Sequence, residues 1–289
     1  MEELIQQVLG GIATGAIYAC IALSVVMIYQ AIDHFNFAQG EMAMFSAFIC
    51  WQMIDWGANY WVAFFVCIVI SFMGGIAIER IVFAPLHNAP VFTHIVVFIA
   101  LFQIFNAGAG FIWEFTIKEF PSPFPAKLPF DTVLIGPHEV GMTLITLIML
   151  GLIFLFFRFT PIGLAMRAAA ASPESARLVG ISVGWMVALG WGLAAAIGAV
   201  GGMMIAPVVY LEPNMMLGIL LYGFAGAVVG GLTSPGGAVV GGFLMGVIEP
   251  LAGMAIGSEL KLTVALVVIV IILIFKPSGL FGRVVVQRV

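Results

Sequence analysis

Apolar runs about as long as a bilayer is thick recur from one end of this chain to the other. Val8 to Tyr29, Tyr60 to Ile78, Val91 to Trp113 and Gly141 to Phe157 are the clearest. Each approaches the length that crosses a hydrocarbon core of roughly 30 Å at about 1.5 Å per residue. Lipid offers the backbone no hydrogen bonds, so such runs must satisfy their own N–H and C=O groups as helices. A transmembrane barrel would need shorter segments of alternating polarity, and none is present. The chain is 63% hydrophobic and 8% charged, against roughly 25% charged residues in soluble domains. So few ionisable groups cannot cover a water-facing surface. The fold class read from the sequence is therefore all-α: a single polytopic membrane domain over residues 1–289, with lipid as its solvent.

Candidate passes fall at about 8–29, 42–55, 60–78, 91–113, 140–158, 183–206, 215–232, 236–257 and 260–276. Basic residues set their direction. Arg80, the group Arg158, Arg167 and Arg177, and the tail residues Lys276, Arg283 and Arg288 should all face the cytoplasm. The segment from Glu114 to Glu139, rich in acids and prolines, is the natural external loop. Nine passes put the acidic N-terminus outside. Segment 42–55 is short; read as re-entrant, it lowers the count to eight and moves the N-terminus inside. Met1-Glu2-Glu3 lacks the basic region of a secretory signal, so the first apolar run reads as a retained helix. Cys20, Cys50 and Cys67 all lie in apolar stretches and read as packing residues rather than a disulfide framework. No basic cluster points to nucleic acid.

Two passes are interrupted by polar residues. Asp33 to Glu41 separates the first from the second, and Glu212-Pro213-Asn214 follows the sixth. Broken segments in corresponding places of two halves mark the substrate route in many transporters, although the internal correspondence is weak here. Asn36, Gln39, Glu41 and Asn214 are candidate pathway residues on this ground. Glu41 and Glu249 are acids in or beside apolar passes, where a charge costs roughly 2.5–3.5 kcal/mol and tends to face a partner or a cavity. His94 is a lesser candidate. Each acid also has a structural reading: Glu41 opens a predicted helix, where the dipole favours it, and Glu249 precedes Pro250, which frees a carbonyl in the turn before it. Glycine pairs four apart, such as Gly11 with Gly15, Gly198 with Gly202, Gly226 with Gly230 and Gly242 with Gly246, predict close helix packing within the bundle or at a subunit interface.

The loop from about 160 to 182 carries its own instructions. Thr160-Pro161 and Ser172-Pro173 each pair an N-cap with proline at the first helical position. Gly180 is a stop. The spacing predicts two short helices bent at Ser172, with Arg167, Glu174 and Arg177 on a charged face and Leu178 and Val179 on an apolar side. A compact cytoplasmic elbow of this kind is a docking surface. The chain has no phosphate-binding G-x-x-x-x-G-K-[ST] motif, no H-E-x-x-H and no C-x-x-C. It also lacks a chain of acids and histidines of the kind a proton-driven pump uses.

Four stretches in order resemble the permease subunits of bacterial branched-chain amino-acid ABC importers. They are NFAQGEMAMF from Asn36, GLAMRAAAASPESARLVGIS ending at Ser182, AVVGGLTSPGGAVVGGFLMGVIE ending at Glu249, and KPSGLFG from Lys276. The resemblance implies an inner-membrane subunit working with two cytoplasmic ATPase subunits, a second permease subunit and an external or periplasmic solute-binding protein. ATP and Mg would be bound by the partner subunits, with no cofactor in this chain. It also implies that Arg167, Ala171, Glu174, Arg177 and Gly180 belong to the contact that transmits ATP-driven motion. Family members handle several amino acids and other small organic acids or amides, so the solute stays open. A secondary transporter or facilitative channel is the alternative; a charged pair at mid-membrane would favour it, and the sequence offers only isolated acids.

Overall fold

The computed structural model describes residues 2–87, 89–125 and 135–282. The chain runs α1 (Glu2–Ile32), α2 (Gln39–Asp55), α3 (Tyr60–Ile78), α4 (Val91–Trp113), α5 (Pro137–Phe159), α6 (Pro161–Ala171), α7 (Pro173–Leu178), α8 (Val183–Val209), α9 (Met216–Gly230), α10 (Pro235–Ile256) and α11 (Lys261–Phe275). A π-helical turn, Glu79–Phe83, and a short 3₁₀ turn prolong α3 to Leu86. Among the described residues, seven segments are long and apolar enough to cross a membrane. The remaining two passes, α2 and α9, have 17 and 15 residues. At about 1.5 Å per residue they reach only about 22–26 Å, whereas the 31 residues of α1 reach about 46 Å.

Boundaries move accordingly. The first pass is longer than expected, and the second begins at Gln39 rather than Met42. The α2 helix is not re-entrant. Its first residue bonds to Ala194 inside α8, while near its other end Trp51 donates to the Glu119 carbonyl in the loop after α4. It therefore carries the chain on to the end of the bundle where that loop lies. The first turns of α1 share a cleft at this end with Glu139 and Met254. Arg80, Arg158, Arg167, Arg177 and Lys276 gather at the opposite end, which the excess of basic charge makes the cytoplasmic one. The acidic N-terminus is thus external. The expected tail cations Arg283 and Arg288, and the middle of the external loop, lie outside the described residues.

The α1 helix is the core of the bundle. From Ala16 to Ile28 every residue is buried, and a helix apolar all round is stable only where other helices enclose it. Close packing requires small residues. A Cβ on Gly11 would stand 2.7 Å from the Gly246 carbonyl oxygen of α10, and one on Gly226 of α9 would stand 2.7 Å from the Gly242 Cα. Gly198 and Gly202 of α8 likewise meet Gln39 and Ala43 of α2. Of the two expectations, packing within the bundle or at a subunit interface, these glycines serve the first. The outer faces of α3, α4, α5 and α11 carry the exposed apolar residues, among them Phe65, Ile104, Phe111, Leu152 and Ile274. That inversion of soluble-protein surfaces is what lipid demands.

Beyond α11 the tail turns back under α9. Leu280 and Phe281 donate their N–H groups to the Val229 and Gly230 carbonyls, which end-of-helix geometry would leave unpaired. The turn depends on Gly279, whose φ of +77° suits glycine.

Candidate transport site and coupling elbow

The elbow forms as its caps predict. Thr160 Oγ1 accepts from the Gly163 N–H at 3.0 Å and Ser172 Oγ from the Ser175 N–H at 3.4 Å. Gly180 closes α7 with φ +86°. Ala169 and Ala176 pack with Val183 of α8, which ties the elbow to a core helix. Arg167, Ala171, Glu174, Arg177 and Gly180 are all exposed, and among the described residues none of the three charged side chains makes an ion pair. Leu178 and Val179 are 88% and 76% exposed. An apolar tip beside unpaired charges, braced from behind, has the composition of a protein-docking surface.

The two breaks prove to be one motif used twice. A long buried helix, α1 or α8, ends in a non-glycine residue with positive φ, Asp33 at +56° or Tyr210 at +64°. The chain then turns back and starts a half-length helix, α2 or α9. The long helices run in opposite directions, as in the inverted repeats of transporters. At the first break Asn36 Oδ1 accepts from the Ala38 N–H and its amide donates to Gln39 Oε1, while Gln39 Nε2 donates to the Ala194 carbonyl at 2.9 Å. The two half-helices start side by side: a Cβ on Gly40 would stand 3.2–3.4 Å from Leu220 and Met216.

Glu41, in the first turn of α2 and 1% exposed, meets the second break through a residue the sequence reading missed. Asn106 of α4 turns its amide nitrogen to Glu41 Oε2 at 3.2 Å, to the Pro213 carbonyl at 3.0 Å and to Asn214 Oδ1 at 3.1 Å. Two hydrogens face three acceptors. The junction is short of donors. The only signal for Asn106 was an amide in an apolar run that also holds Gln103, with nothing local to distinguish it from a packing residue.

Glu249 does not join this group. It accepts from Tyr18 Oη and lies 3.8 Å from Lys261 Nζ, so it ties α1, α10 and the start of α11 together. It is therefore not the isolated acid that the sequence suggested, and it stands apart from the other pathway candidates. His94 is buried at the start of α4, stacked on His34 with ring centroids 4.8 Å apart. Below the junction a cavity of about 1160 Å³ occupies the cytoplasmic half of the bundle. Leu23, Met27, Leu150 and Val187 are among its apolar walls, and Glu79, Arg80 and the elbow lie at its rim.

Inverted half-helices over a cytoplasmic vestibule, with a braced elbow beside it, are the parts of a permease. The sequence profile of the family described as "Branched-chain amino acid transport system / permease component" matches residues 7–275. The chain belongs to that family. Permeases similar to it include the high-affinity branched-chain amino acid transport system permease protein BraD of Pseudomonas aeruginosa, 28% identical over 99% of this chain and 98% of that protein. LivH of Escherichia coli, described in the same words, is 27% identical over 99% and 97%. A probable branched-chain amino acid transport permease protein LivH of Methanocaldococcus jannaschii is 25% identical over 94% and 91%. No solved structure matches the permease. As a permease component it is a multi-pass protein of the bacterial inner membrane and not an enzyme; ATP hydrolysis belongs to a separate subunit, and importers of this family also use a solute-binding partner. The Glu249–Lys261 pair is therefore read as a tether between helices rather than as the ion site of a secondary transporter.

Proposed function

We propose that this permease moves branched-chain amino acids inward by alternating access between its inverted half-helix units, with two cytoplasmic ATPase subunits binding ATP and Mg and driving the motion through α6 and α7. A second, related permease chain completes the membrane unit, and an external solute-binding protein delivers the amino acid. The observation that carries the reading is the donor-poor junction of Glu41, the Pro213 carbonyl and Asn214 around one amide nitrogen. A solute bearing an ammonium group supplies the missing donors there, and apolar residues such as Met216 and Leu220 suit an aliphatic side chain. The names of the similar permeases point to the same solute class. Energy enters at the elbow because its charges are unpaired and its back is fixed to α8.

The test is uptake of labelled leucine into proteoliposomes that contain the permease with its ATPase and second-permease partners. Replacing Arg177 and Glu174 together by alanine should abolish ATP-driven uptake while leaving membrane insertion and thermal stability unchanged, since both side chains are exposed. Uptake that persists in this double variant refutes the coupling role. Uptake by the chain alone, without an ATPase, refutes the importer reading.

A further inference from the structure

The rim of the cytoplasmic vestibule holds two adjacent charges that the fold leaves unsatisfied. Glu79 and Arg80 open the π-helical turn that ends α3, and π turns recur where a helix serves a site. The Glu79 side chain is 5% exposed, yet its Oε2 has no hydrogen-bond partner. Arg80 Nε and Nη2 are buried without partners too. The two groups approach to 3.5 Å without hydrogen-bond geometry. The guanidinium is held in place by the Trp185 ring, 4.0 Å beneath it. A buried carboxylate held by one ion pair at 3.5 Å, with no hydrogen bond to its Oε2, is costly. Both residues line the cavity, whose apolar lining includes Leu150, Ile153, Phe157 and Val187.

We infer that Glu79 and Arg80 form a binding station for the zwitterionic head of an aliphatic α-amino acid on the cytoplasmic side of the permease. The exposed part of the Arg80 guanidinium takes the carboxylate, Glu79 takes the ammonium, and the apolar wall takes the side chain. A neutral pair of opposite charges fits a zwitterion because binding replaces one poor ion pair with two good ones and leaves the site's net charge at zero. A ligand with only one of the two charges leaves its opposite number unpaired in a low-dielectric wall. The inference rests on the amino-acid reading above and adds a second station, after the Glu41 junction, from which solute leaves or at which accumulated solute holds the transporter.

Equilibrium binding of labelled leucine to the purified complex tests it, with leucinamide (no carboxylate) and 4-methylpentanoate (no ammonium) as competitors. Wild type should prefer leucine to either analogue by about tenfold, the value of one charge-assisted hydrogen bond. Arg80→Gln should lose about tenfold for leucine while leaving leucinamide unchanged, and Glu79→Gln should do the same with 4-methylpentanoate unchanged. Leucine binding equal to wild type in both variants overturns the station and leaves the transport reading intact. Equal affinity of wild type for all three compounds, a result that needs no variant to fold, overturns the station and the ammonium contact proposed at the Glu41 junction together. A complex that neither binds nor transports leucine overturns the amino-acid reading, and the station with it.

Discussion

Removing the Asn106 side chain tests the polar junction most directly, because a single nitrogen serves three acceptors from two distant parts of the chain. In Asn106→Ala the Glu41 carboxylate, 1% exposed, loses its hydrogen-bond donor, and the Pro213 and Asn214 oxygens lose theirs. A buried charge stripped of its partner costs about 3 kcal/mol. With Gln at position 41 the same deletion costs only about 1 kcal/mol, because a neutral amide carries no charge to desolvate and can donate to the remaining oxygens. The coupling in a double-mutant cycle is then about 2 kcal/mol. At about 2 °C per kcal/mol for a chain of this size, Asn106→Ala lowers Tm by about 6 °C in the native background and by about 2 °C beside Glu41→Gln. The assay is built into the molecule: Cys20, Cys50 and Cys67 are free and buried, so a thiol-reactive dye in detergent reports unfolding. Equal shifts in the two backgrounds, or no shift in either, would refute the claim that Asn106 holds a charged Glu41.

Two further outcomes follow from the packing. Gly246→Ala places a methyl group against the Gly15 backbone in the α1–α10 seam and should cost about 1–3 kcal/mol, visible as a lower Tm in the same dye assay; an unchanged Tm would mean the seam is looser than described. Glu249→Gln keeps an acceptor for Tyr18 and loses only a 3.8 Å ion pair, so ATP-driven leucine uptake should stay within about twofold of wild type given the small value of such a pair; a collapse of uptake would place Glu249 in the pathway.

The elbow was legible because its instructions are short-range. Thr160-Pro161, Ser172-Pro173 and Gly180 each act on the next three or four backbone groups, and the structure follows them. The direction of the passes was legible because Arg80, Arg158, Arg167 and Arg177 carry the positive-inside signal whatever packs around them. Glu249 was ambiguous in the sequence because an acid in an apolar run reads the same whether it lines a route or holds Tyr18 and Lys261. The Glu79–Arg80 pair gave no signal at all: adjacent opposite charges at a helix end look like an ordinary solvated boundary until the cavity beside them is known.

The sequence by itself determined that this protein lives in a bilayer, which segments are helical, where the two breaks fall and that a capped elbow hangs on the cytoplasmic side. Hydropathy and capping are properties of neighbours along the chain, and neighbours are what a sequence displays. Only the tertiary structure decided that α1 is enclosed, that the half-helices start side by side, and that Asn106 joins residues 65 and 108 positions away. Those contacts depend on which faces of the helices meet, and lipid-facing and protein-facing surfaces in such a chain are equally apolar.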